Sequence, residues 1–233
     1  MTKPSFASRP DPARAGTRAP VFPSYTGAEV AADCAVHIVG LSAATACIAW
    51  LIASLGTGAT ARQVVAFLIY CAGLIGMLAA SAAYNLASPS RAKSVLRRLD
   101  HAMIFVMIAG SYTPFALTAL EPRVGTALLG AVWGVALTGV ALKLACFNRI
   151  ERASLALYLG MGWMVLVVIR PLITALPGAV LMLLLAGGVV YSLGALVHVR
   201  DRVPFQNAIW HAMVLVAAGL HLAAITRLLM PTP

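Results

Sequence analysis

Acidic side chains are nearly missing from this chain. Seven Asp and Glu stand among 233 residues, and charged residues of both signs make up only 10%. Ordinary soluble domains carry about 25% charge. With 61% hydrophobic residues, no water-surrounded core could enclose the apolar side chains, so a soluble globule is excluded. Cysteine is sparse as well. Cys34, Cys47, Cys71 and Cys146 are scattered with no C-x-x-C pattern, and buried unpaired thiols are the expectation. No internal repeat of 20–50 residues is visible. No apolar run follows Met1 closely, so a cleaved secretory signal is not expected.

What the chain has in abundance is long apolar runs. A helix needs about 20 residues to cross a hydrocarbon core, and seven runs are long enough: 29–54, 63–86, 99–119, 124–146, 153–175, 178–199 and 206–229. Helices are required because an isolated segment in lipid must satisfy its own backbone hydrogen bonds. The expected fold is therefore an all-α, seven-helix membrane bundle over 29–230, preceded by a basic, Pro-rich disordered tail over 1–28.

The basic residues divide unevenly between the two ends of such a bundle. Thirteen Lys and Arg fall in the N-terminal tail and the second, fourth and sixth loops; four fall on the other side. The positive-inside rule then puts the N-terminus in the cytoplasm and the C-terminus outside. Basic loops facing anionic lipid headgroups also account for the net charge of +10 without nucleic acid as a partner. Small residues four apart, at Ala72, Gly76 and Ala80 and at Gly130, Gly134 and Thr138, suggest close helix contacts. Pro114 is expected to kink the third helix and leave the Gly110 carbonyl without its donor, with Tyr112 and Thr113 beside it to satisfy that carbonyl, line a cavity or simply pack. The basic stretch from Pro89 to Arg98 reads either as a short helix on the headgroups or as a charged turn.

Polar groups inside spans are costly unless paired, so they carry the information. Glu29, Asp33 and His37 lie early in the first span; Ser81 and Asn85 end the second; Asp100 and His101 open the third; Asn207 and His211 open the seventh. The alternating direction of the spans brings Ser81, Asn85, Asp100, Asn207 and His211 to one depth near the cytoplasmic surface. Each has a structural alternative. Asp100 can pair with Arg97 or cap its helix, His101 can be interfacial, and Asn85 can end its helix before a turn. His37 and His221 are expected to make packing hydrogen bonds between helices, and His198 to be a loop residue.

At these residues the sequence resembles the hemolysin III branch of the progestin and adipoQ receptor family. The likeness is carried by SAAYN at 81–85, LRRLDHAMIFVMIAGSYTPFAL at 96–117, YLGMGW at 158–163, GGVVYSLGA at 187–195 and IWHAMVLVAAGLHLAAI at 209–225. It implies S-x-x-x-H ending the second helix, Asp opening the third and H-x-x-x-H on the seventh. The three His would bind zinc, with Ser and Asp holding a metal-bound water that cleaves the amide of a ceramide-like lipid. Ser81, Asp100 and His211 match that pattern. Asn85 and Asn207 stand where two zinc ligands are expected, and a neutral amide oxygen is a poor ligand for zinc.

The resemblance thus implies a hemolysin III-like protein of a bacterial inner membrane, with an impaired metal site, zinc weakly held or absent, and membrane lipids as partners. Three roles follow from it. One is a non-catalytic lipid-binding or membrane-homeostasis function; the second is metal-dependent lipid amide hydrolysis through Ser81 and Asp100; the third is pore-forming cytolysis.

Overall fold

Helix ends are marked by side chains that satisfy the backbone donors a helix leaves open. Thr60 accepts from the Gln63 N–H at 3.3 Å while the Gln63 side chain accepts from the Thr60 N–H at 2.9 Å, a reciprocal cap. Ser90 caps its helix by accepting from the Lys93 N–H at 3.1 Å. Glu121, followed by Pro122, accepts from the N–H groups of Arg123 and Val124.

The structure, a computed structural model, describes residues 25–54, 58–200 and 203–230. The tail expected over 1–28 falls outside the described residues up to position 24. Among the described residues, seven helices are long and apolar enough to cross a membrane: α1 (Gly27–Ser54), α2 (Ala61–Leu86), α3 (Arg91–Thr118), α4 (Pro122–Phe147), α5 (Ala153–Ala175), α6 (Gly178–His198) and α7 (Gln206–Leu229). The all-α, seven-helix expectation holds. One boundary moves: the basic stretch 91–98 is neither a separate surface helix nor a turn, but the first two turns of α3. Lys93 returns its ammonium to the Ala87 carbonyl at 2.7 Å, and Arg98 reaches the Leu144 carbonyl at 3.2 Å, so both cations bond the ends of neighbouring helices.

α2 packs broadly on α3, α3 on α4 and α6 on α7, while α1 lies against α2 and α7. α7 also touches α2 and α3. The chain thus brings its first and last helices together. The tight contact between α2 and α3 runs through Gly73 and Gly110, where an added Cβ would meet the backbone of the facing helix at 3.4 Å. The expected small-residue stripes are only partly placed at contacts. Gly76 faces the Met103 side chain, but Ala72 is exposed, and around Gly130 and Gly134 there is open space. The close approach needs one small residue per helix at the crossing, not a stripe. Of the four unpaired thiols Cys71 is buried, whereas Cys47 is exposed on the outside of the bundle.

Pro114 does sit inside α3, and its neighbours bond groups other than the Gly110 carbonyl. The Thr113 hydroxyl donates to the Ala109 carbonyl at 2.9 Å. The Tyr112 hydroxyl crosses to α5, where the backbone tightens into a 3-10 stretch over Trp163–Val168. It lies 2.9 Å from the Met161 carbonyl and 2.7 Å from the Gly162 carbonyl, and accepts from the Val165 N–H at 2.9 Å. A change of helix type leaves backbone groups without their usual partners, and one phenol satisfies them here.

Candidate functional site

Three pairs of polar residues are spaced four apart, which puts each pair on one helix face: Asp33 and His37 on α1, Ser81 and Asn85 on α2, Asn207 and His211 on α7. The packing of α1 against α2 and α7 turns all three faces toward one another at one end of the bundle. Asp33, His37 and Ser81 are buried, at 5%, 4% and 7% exposure, so their polar atoms depend on each other rather than on solvent.

The hydrogen bonds set the direction of each ring. His37 donates from Nδ1 to the Asp33 backbone carbonyl at 2.8 Å, and His211 donates from Nδ1 to Asp33 Oδ1 at 2.5 Å. A carbonyl and a carboxylate only accept, so both Nδ1 atoms carry the proton and both Nε2 atoms present lone pairs. Those lone pairs converge on one hydroxyl: Ser81 Oγ is 3.1 Å from His37 Nε2 and 3.3 Å from His211 Nε2. The two rings stand edge to face with centroids 4.5 Å apart. Asn207 donates to Asp33 Oδ2 at 3.0 Å and to Asn85 Oδ1 at 3.1 Å. Because Asn85 Oδ1 accepts there, its Nδ2 points at residue 81, 3.0 Å from the carbonyl and 3.4 Å from Oγ.

Asp100 also reaches the Ser81 hydroxyl and lies near His211 and Asp33. Its other close neighbour is His101, whose Nδ1 is 3.6 Å away. His101 itself donates to the Arg97 carbonyl at 2.8 Å and rests against Phe147, outside the pair of converging imidazoles. His221 hydrogen-bonds the Leu184 carbonyl across α6 and α7 at 3.3 Å, and His198, the last residue of α6, stacks on Trp210.

Ser81, Asn85, Asp100, Asn207 and His211 therefore share one site, joined by Asp33 and His37. Those last two were read from sequence as intramembrane polar residues without being assigned to the pocket. Their signal was present: D-x-x-x-H has the same spacing as S-x-x-x-N and N-x-x-x-H. What spacing does not reveal is which faces meet.

Of the three positions where the resemblance implies zinc ligands, His211 is an imidazole, but Asn85 and Asn207 are not. Asn85 and Asn207 bond to each other, and both offer neutral amides where imidazole nitrogen would be needed. A different group of three, Asp33, His37 and His211, each offers one ligand atom within 4.8 Å of the others. These could hold an ion, each His offering one ring nitrogen and Asp33 a carboxylate oxygen.

The end of α7 that carries this site is held by its approach. Phe205 adopts a left-handed backbone, φ 56°, a conformation costing about 1–3 kcal/mol in a non-glycine residue. Its N–H donates to Glu29 Oε1 at 3.1 Å, and Glu29 also accepts from the N–H and hydroxyl of Thr26. One carboxylate thus caps α1 and sets the first turn of α7, which points Asn207 inward.

The chain matches the family model described as Haemolysin-III related over residues 31–222, a range that includes every residue of the site. It is 33% identical to the Hemolysin-3 homolog of Bacillus subtilis (strain 168), covering 82% of this chain and 90% of that protein. It is likewise 33% identical to Hemolysin-3 of Bacillus cereus, over 88% of this chain and 93% of the relative. The human Monocyte to macrophage differentiation factor is 30% identical over 71% of each chain.

Proposed function

Since the chain belongs to the haemolysin-III-related family, we propose that it is a multi-pass membrane protein which hydrolyses the acyl bond of a lipid at the polar end of its bundle. One observation carries this reading: a single hydroxyl, Ser81 Oγ, lies between two imidazole lone pairs, one of them on a ring backed by a carboxylate. Acyl hydrolysis needs an oxygen nucleophile and a base beside it to take its proton; here a hydroxyl lies beside two imidazole lone pairs. Beside the cluster lies a cavity of about 20 Å³ bordered by Asp33, Asn85 and Asn207, room for about one water molecule. The basic-residue asymmetry supports a cytoplasmic position for this end, in a bacterial inner membrane.

The test is fatty-acid release from a short-chain ceramide by the purified full chain in lipid nanodiscs. His211→Ala is expected to abolish it. Absence of release from the parent protein, with the chain folded, overturns the reading.

A second reading, a non-catalytic lipid-binding or membrane-homeostasis protein, is supported by the bonds from Asn207 to Asp33 and to Asn85. These tie α1, α2 and α7 together as a structural clasp. It predicts no hydrolysis and a lipid-dependent growth phenotype on deletion. Cytolysis enters through the family resemblance and the name of the Bacillus cereus relative, Hemolysin-3, and dye leakage from vesicles on adding purified protein would favour it over both.

A further inference from the structure

We propose that α1 equips this chain with an exchangeable site for a divalent transition-metal ion, made of Asp33, His37 and His211 and distinct from the ligand set that the family resemblance points to. Each of the three offers one ligand atom, and these atoms lie within 4.8 Å of one another, close enough for a single ion to draw them together. Asp33 and His37 stand one turn apart on α1, and α7 supplies the third. Amides occupy positions 85 and 207, so the imidazole that faces His211 is that of His37, its ring centroid 4.5 Å away.

The donor set selects the class of ion. Two imidazole nitrogens and one carboxylate oxygen suit borderline ions such as zinc, cobalt or ferrous iron, whereas magnesium and calcium prefer oxygen alone. His37 is held as ligating imidazoles usually are: Nδ1 bonds the Asp33 carbonyl at 2.8 Å, which fixes the ring and turns Nε2 inward. Charge favours a cation as well. Glu29, Asp33 and Asp100 are three of only seven acidic residues in a chain of net charge +10. Asp100 lies near Asp33, and Glu29 and Asp33 border one cavity of about 20 Å³, wide enough for one water or one ion. Exposed Tyr25 stands on its rim, which gives an ion a way in from the surface.

The surrounding contacts make the ion exchangeable. Both Asp33 oxygens already accept hydrogen bonds, from His211 at 2.5 Å and from Asn207 at 3.0 Å. An ion drawing on that carboxylate competes with them, so it comes and goes with its concentration in the adjoining water and is lost when the protein is purified without it. When bound, the ion ties α1 to α7 through its ligands; without it, the hydrogen bonds alone do so. Metal supply at that face thereby sets how firmly the first and last helices are joined, whether or not lipid is hydrolysed there.

The experiment uses the purified full chain in lipid nanodiscs, stripped with a chelator and then titrated with cobalt(II) or zinc(II). The expected result is one cobalt per chain with visible ligand-field absorption, displaced by zinc but not by excess magnesium, and a thermal midpoint that rises with added zinc. X-ray absorption at the cobalt edge is expected to show two imidazoles on the ion, a reading on the parent protein that depends on no variant folding. His37→Gln and Asp33→Asn are expected to weaken binding by about tenfold or more, and His198→Gln to leave it unchanged. No cobalt uptake by the parent, a bound cobalt without imidazole, or uptake that neither His37→Gln nor Asp33→Asn weakens overturns the site. Lipid turnover plays no part in these readouts, so their failure and that of the hydrolase reading are told apart.

Discussion

His211 Nδ1 and Asp33 Oδ1 lie 2.5 Å apart across 178 residues of chain. The contact joins the first and last helices, and it decides the tautomer of the ring that faces Ser81. It also leaves a carboxylate and an imidazole dependent on one another, since both side chains are largely withdrawn from the surroundings.

Removing one partner of such a pair is therefore expected to cost stability. Asp33→Ala strands the His211 and Asn207 donors together, and each buried donor left without its acceptor typically costs about 1–3 kcal/mol. Asp33→Asn keeps an acceptor oxygen and should lose less. Thermal unfolding in detergent compares the two; equal midpoints for Asp33→Ala and the parent would refute the coupling.

Restoring imidazole at the two amide positions should restore a metal centre. The double variant Asn85→His, Asn207→His is expected to purify with close to one zinc per chain, and the parent with none. Elemental analysis of both reads this directly, and stoichiometric zinc in the parent would contradict it.

Glycines at different places in the bundle should respond to alanine with opposite sign. Alanine favours helix over glycine by about 1 kcal/mol. At Gly130 and Gly134 nothing stands within 4 Å of the added methyl, so the change is expected to be neutral or stabilising. At Gly125 the methyl would run into the Ala116 carbonyl, a backbone atom that cannot turn aside, and Gly125→Ala is expected to lower the thermal midpoint.

Tyr112→Phe removes one hydroxyl that serves three backbone groups of α5. A buried group left without its partner costs about 1–3 kcal/mol, so a drop in stability is expected although no volume is lost. If the unfolding midpoint does not move, the 3-10 stretch is held by other means.

Topology reporters address the orientation. Fusions at the C-terminus are expected to be active only for a periplasmic reporter, as the basic asymmetry requires. The opposite result would place the polar site at the other face of the membrane.

Much of the fold was legible in sequence because lipid imposes a strong rule. Each span must be long, apolar and self-bonded, so seven runs became seven helices with ends shifted by a few residues. The depth of the site was legible too, since alternating spans put Ser81, Asn85, Asp100, Asn207 and His211 at one end. Less legible were details set by contact. Tyr112 was left open between the Gly110 carbonyl, a cavity and simple packing; it serves α5, because a phenol is long enough to reach a neighbouring helix whose backbone has changed type. Gly130 and Gly134 share the spacing of an interface stripe yet meet nothing among the described residues.

By itself the sequence determined the class of protein, the number of spans and the polar residues held at one depth, since composition and periodicity act along the chain. It also carries amides at 85 and 207, where the resemblance implies imidazole. Only the tertiary structure decided that α1 turns Asp33 and His37 toward Ser81 and His211. The reason is physical: four-residue spacing fixes which side chains share a face, but the packing of helices far apart in the chain selects which faces meet. A serine, a histidine and an aspartate from three helices became neighbours by that selection alone.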